Sequence, residues 1–227
     1  MKKDLSLLFA IFLIPTLLNA QKFTGSFDLV VRHHFPNGNE RIDTVSYFLG
    51  KAKSAIIIYG KRRDPDMRMV FNKQDSTITN LFEMNGKKGG YILPMDKKHW
   101  PGMQYALRSF NSGPRKKLNY TGNEATLEGY YCREVVAEIE EYTATMMLAE
   151  DIQISMSSVL SYQSVGAGKS QDESSLFDKF GVQILPLFIK LKSKVGKADV
   201  VIRVVNIKES FPEAIFDTEG HTLISVE

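Results

Sequence analysis

Residue types able to do chemistry are sparse in this chain. Its one cysteine, Cys132, stands in the stretch Gly129-Tyr130-Tyr131-Cys132-Arg133-Glu134. A lone thiol can be a nucleophile, a lipid attachment point or a small piece of core. Four histidines, at positions 33, 34, 99 and 221, form no pair at zinc-binding spacing, and Cys132 has no CxxC partner. His33 and His34 are neighbours on a strand-like run, so they point to opposite faces and do not chelate together. The run QSVGAGKS, residues 163–170, ends like a phosphate-binding loop, but Gln163 stands where that loop needs its first glycine. It also follows a helical pattern rather than a strand, which argues against nucleotide binding. Glu134, Glu138 and Glu140 could in principle share general acid–base work. They alternate with Val135, Ala137 and Ile139, the pattern of a strand whose acidic side is wet. With no Gly-x-Ser-x-Gly elbow either, the chain reads as non-enzymatic, with no cofactor and no metal site.

The elements that would position any site have a dominant period of two. In FTGSFDLVVRHHF, Phe23, Phe27, Leu29, Val31 and Phe35 alternate with mostly polar residues, which predicts a half-buried strand. A turn at residues 37–39 leads into RIDTVSYFLG and AKSAIIIYG. DSTITNLFEM and KKGGYILPM flank Asn85-Gly86, a hairpin turn pair. A gentler hairpin around Glu140-Glu141 leads into YTATMMLAEDI. Leu185, Leu187, Ile189 and Leu191 share one face of a later strand, and KADVVIRVVNIKE supplies a β-branched one. Three helices are predicted: Lys97 to Phe110, with Met103, Leu107 and Phe110 on one side; Ile152 to about Val165, capped by Asp151; and Asp172 to Phe180. The expected fold is mainly β (α+β): a large antiparallel sheet with about three helices against it, with residues 21–227 forming a single domain.

The first residues carry Lys2-Lys3, an apolar run from Leu5 to Leu18, and Asn19-Ala20 before Gln21. That is the layout of a signal peptide spanning 1–20, too short for a membrane span. Gln21 stands where a lipoprotein would carry its lipidated cysteine. The expected location is periplasmic or secreted, with no transmembrane span in the mature chain. A single cysteine excludes an internal disulfide, so the core must suffice unaided. The net charge of +3 across 227 residues is too small to indicate nucleic acid. Local basic runs at Arg62, Arg63, Arg115 and Lys116 lie beside turn residues and form an alternative surface for an envelope partner or anionic lipid.

The segment YTGNEATLEGYYCREVV resembles one shared by a family of secreted bacterial proteins common in the Bacteroidetes, the domain of unknown function four-four-one-two. Thr121-Gly122, Leu127, Gly129-Tyr130 and Cys132 carry the resemblance, supported by the region around Asn85-Gly86-Lys87-Lys88 and by Phe211-Pro212-Glu213-Ala214-Ile215-Phe216. The chain departs from the pattern at Met146-Met147, where relatives often place a tryptophan. The resemblance implies a fold similar to the periplasmic lipoprotein carriers: a large curved antiparallel sheet, an incomplete barrel, with about three helices plugging its concave face, so that residues 21–227 would form one half-barrel domain. It implies no activity.

A sheet with so apolar a face needs a cover, and three short helices leave room for a groove. The function expected is therefore binding of a hydrophobic ligand, with a lipid or an acylated protein as partner, or else an interaction module with a filled core that meets an envelope protein. The expected lining is Phe27, Leu29, Val31, Ile56, Ile58, Leu187, Ile189 and Leu191, with Trp100 and Met103 as a movable cover. Cys132 is expected to pack rather than react.

Overall fold

The structure, a computed structural model, describes residues 23–61, 64–166 and 169–226. The signal peptide expected at 1–20 and the basic pair Arg62 and Arg63 lie outside them. Six strands come first: β1 (Gly25–His34), β2 (Glu40–Leu49), β3 (Lys53–Ile58), β4 (Met67–Asn72), β5 (Thr77–Met84) and β6 (Lys87–Pro94). After the short helix α1 (Met103–Ala106) come β7 (Asn119–Leu127), β8 (Tyr130–Glu138) and β9 (Tyr142–Ala149). Helices α2 (Met156–Ser161) and α3 (Asp172–Phe180) precede β10 (Pro186–Ser193), β11 (Asp199–Lys208) and β12 (Thr222–Ser225). All twelve strands join one open, curved sheet in the order β12-β6-β5-β4-β3-β2-β1-β11-β10-β9-β8-β7. Every pairing is antiparallel except β12 on β6, which is parallel. The fold is thus mainly β with three helices, as the alternation predicts, and an incomplete barrel, as the resemblance implies, with one parallel edge added.

Local sequence explains the turns. Asn85 and Gly86 both adopt positive φ, 54° and 71°, so β5 and β6 are joined by a two-residue turn that matches strand twist. Glu128 and Gly129 do the same between β7 and β8, with φ of 50° and 84°. The glycine of the GYYCRE stretch is therefore a hairpin residue.

Register assigns the faces. Phe27 pairs with Tyr47, Leu29 with Val45 and with Val204, and Val31 with Ile202. These side chains turn to the concave side, where the helices pack. Burying each large apolar side chain there contributes about 1.5–3 kcal/mol. The convex side is covered separately. After β11 the chain crosses it, and Ile215, Phe216 and Leu223 cover Ala55, Val70 and Leu81. Arg68 holds that strap, donating to the carbonyls of Ile215 at 3.0 Å and Asp217 at 2.7 Å.

Two helices differ from their prediction. The first shrinks to Met103–Ala106, and Leu107 is 46% exposed. Residues 97–100 instead form a turn in which Asp96 takes the His99 N–H on its side chain and the Trp100 N–H on its carbonyl. Ser109, in extended backbone, stops any continuation. The second starts at Met156, and its cap is Ser155, whose Oγ accepts the Ser158 N–H at 3.2 Å, in place of Asp151. Upstream, the Ile152 carbonyl accepts from Leu185 N–H, which keeps that segment out of the helix. Helix α3 spans the residues predicted and ends at Gly181 in the left-handed region.

Candidate functional site

The middle of the concave face is closed by aromatic rings. Trp100 and Tyr162 descend from the helical side onto Phe71, with ring centroids 4.7 and 4.8 Å away, and Phe27 stacks on Tyr47 at 5.0 Å. The Trp100 indole N–H donates to the Ser161 carbonyl at 2.7 Å, so its one polar atom is satisfied inside the core. Gly102 brings the start of α1 against α2: its N–H donates to Ser164 Oγ at 2.8 Å.

Beside this plug, at one end of the sheet, a cleft of about 530 Å³ remains between strands and helices. It collects the last inward residues of β1 and β3 and the first of β2, β9 and β11. Its apolar wall on the sheet side includes Val31, Val45, Ile58, Leu191, Val200 and Ile202. On the helix side, Leu160 of α2 and Leu176 and Phe177 of α3 face them. The rim is charged: His33, Arg41 and Asp43 from the sheet, Lys169 and Glu173 from the helical side.

The rim forms a small network. Asp43 Oδ2 accepts from Arg41 Nε at 2.7 Å, and Asp43 Oδ1 accepts from Lys61 Nζ at 2.5 Å. Burial pushes the Asp43 carboxyl up, but the Lys61 and Arg41 partners outweigh it and hold it below the usual range. Arg41 Nη2 lies 3.2 Å from His33 Nε2. A guanidinium only donates, so that imidazole nitrogen accepts and its proton sits on Nδ1. Burial first, then Arg41, push the His33 pKa down, with Asp43 opposing. Deeper in, Gln163 Nε2 donates to Tyr47 Oη at 2.6 Å, and burial drives the Tyr47 phenol far above its ordinary range.

Of the residues the sequence nominated as lining, Val31, Ile58 and Leu191 meet in this cleft. Phe27, Leu29, Ile56, Leu187 and Ile189 lie at 2% exposure or less in the continuous core, as does Trp100. Met103 packs half-buried against that core. Arg115 lays its guanidinium over the Phe110 ring at 5.4 Å, and the Lys116 N–H donates to the Gly181 carbonyl at 3.2 Å. Sequence reasoning passed over Arg41, Asp43, Lys169 and the α3 residues. For the first two a signal existed: continuing the inward parity Leu49, Tyr47, Val45 along β2 reaches Asp43 and Arg41. Cys132 is fully buried, its thiol 3.5 Å from the Tyr130 carbonyl, and burial pushes its pKa up. Among the described residues no group of three or more His, Cys, Asp or Glu could hold a metal ion. No described helix is long and apolar enough to cross a membrane.

No family model matches the chain, and no curated protein matches it. Several solved structures are distantly similar. PNGF-II aligns with a TM-score of 0.41 and 10% identity over 89% of this chain and 32% of that one, so the chain spans about a third of its length. An uncharacterised conserved protein from Thermus thermophilus aligns at 0.41 and 10% identity over 89% and 91% of the two chains. A LolA superfamily protein from Nitrosomonas europaea aligns at 0.36 and 9% identity over 87% and 91%. Likenesses of this size carry no argument about function, and the family suggested by the GYYCRE stretch stays an expectation of the sequence.

Proposed function

We propose that this chain is an exported, non-enzymatic protein of the cell envelope that binds a hydrophobic ligand, a lipid or acyl chain, between its sheet and helices. The observation that supports the reading is the cleft itself. Its volume falls within the roughly 300–1,000 Å³ of small-molecule sites, and aliphatic side chains line both its sheet and helix sides, with charges at the rim and the polar side chains of Gln163, Ser164 and Ser174 between them. Aliphatic walls left open to solvent are costly unless something of like polarity covers them.

Native mass spectrometry of the mature protein purified from the periplasm, with organic extraction of what it releases, tests this reading. A defined added mass that extracts as a lipid is the expected result. A clean apo mass with no uptake of added lipid would overturn it. Two substitutions separate cleft from core. Ile58→Glu, at a half-buried wall position, is expected to weaken uptake at least about tenfold in a folded protein. Leu187→Asn, at 2% exposure, is expected to cost the fold itself.

A further inference from the structure

We infer that the occupant is a single-tailed long-chain carboxylate, a fatty-acid anion, with its head at Arg41 and Lys169 and its tail along the wall from Val45 and Ile58 to Phe177. This rests on the ligand-binding reading of the cleft and adds the chemistry of its head group.

Charge at the rim carries the inference. Among the described residues, two cations, Arg41 and Lys169, and two carboxylates, Asp43 and Glu173, line the cleft, and Lys61, outside the lining, neutralises Asp43 from behind. His33 accepts from Arg41 and so adds no charge of its own. Asp43 is shared by Arg41 and Lys61, which leaves that group one positive charge in excess. Lys169 forms no ion pair among the described residues, although it lines the same rim. A single surplus charge beside an apolar wall complements an amphiphile with one negative charge. A carboxylate carries one at neutral pH, whereas a phosphate monoester carries about −1.5 to −2. Arg41 keeps Nε on Asp43 and Nη2 towards His33, which fixes the plane of its guanidinium before any ligand arrives. The volume suits one drug-sized ligand and hence one chain rather than several.

The test is uptake by the delipidated mature protein of three probes that share a sixteen-carbon tail: palmitate, methyl palmitate and a lysophosphatidic acid. Palmitate is expected to bind about tenfold or more tightly than its methyl ester, the scale of a charge-assisted head-group contact. The double variant Arg41→Gln, Lys169→Gln is expected to bring palmitate down to the ester's affinity. The ester's own affinity should be unchanged, which doubles as the check that the cleft is still folded. Equal binding of palmitate and ester would overturn the head-group assignment while leaving the ligand-binding reading standing. Tighter binding of the lysophosphatidic acid would overturn the carboxylate in favour of a phosphate head. Uptake of none of the three would overturn both this inference and the proposed function.

Discussion

Arg41 on one side and an apolar wall beneath leave the His33 imidazole little room for a charge of its own. Its pKa lies below the ordinary 6.5 because burial and the facing cations Arg41 and Lys61 outweigh the attraction of Asp43. The consequence for stability has a definite sign. The unfolded imidazole takes up a proton near pH 6.5 while the folded one resists, so acid favours the unfolded chain. His33 contributes its full share above pH 6.5, and that share is lost as pH falls towards the lowered folded value. Thermal melts between pH 8 and 5 should show stability falling below about pH 6.5, and His33→Gln should flatten the curve in that window. A slope unchanged by the substitution would show that another group titrates there. Asp43, Glu150 and Asp199, with carboxyls held below their usual range, act in a separate window near and below pH 4. Cys132, by contrast, has its thiol in the core and its hydrogen bond made locally, which is where a packing residue belongs.

Among the elements, α1 is the one whose sequence pattern misleads most and whose position matters most. Its apolar spacing promised a helix through residue 110, yet the segment is held by Asp96 at its start and by a close approach to α2. At Gly102 an added Cβ would stand 2.5 Å from Ser164 Oγ and 3.0 Å from Ser161 Cα. The backbone there is ordinary, with φ of −80°, so the constraint is space rather than conformation. Gly102→Ala is expected to cost about 1–3 kcal/mol by pushing α1 off α2. Urea unfolding would report it as a lower midpoint at unchanged slope, and an unaltered midpoint would mean that the helices yield freely. Helix α3 was legible throughout because its limits are set locally, by acids in its first turn and Gly181 beyond its last.

For the molecule as a whole, one sheet serves two covers. The helices close its concave side, and the strap after β11 closes the convex side around Phe48, Phe211 and Phe216, whose rings meet edge to face at 5.7 and 5.6 Å. Arg68 fastens this strap by reaching main-chain carbonyls nearly 150 positions away in sequence. Arg68→Ala is expected to lower stability by about 1–2 kcal/mol, since the lost hydrogen bonds are charge-assisted but partly wet. Ligand uptake should be untouched, because the cleft opens on the other face. A change in uptake without a change in the unfolding midpoint would contradict this division of labour.

What the sequence determined by itself was whatever depends on near neighbours. Alternation assigned the strands it marked a wet and a dry side, paired asparagine and glycine marked the β5–β6 turn, and apolar spacing placed α3 over residues 172–180. It could not determine depth. Leu29 and Val31 are equally apolar and share a face, yet one is core and the other lines the cleft. The difference arises because Trp100 and Tyr162 land over Phe71 and leave the far end of the sheet open. Nor could local pattern show that Arg41 and Asp43 share a cleft with Lys169 and Glu173 from beyond residue 160. Alternation is a property of the backbone's two-residue repeat, whereas a cleft is the space left where distant elements fail to touch, and only the tertiary packing sets that.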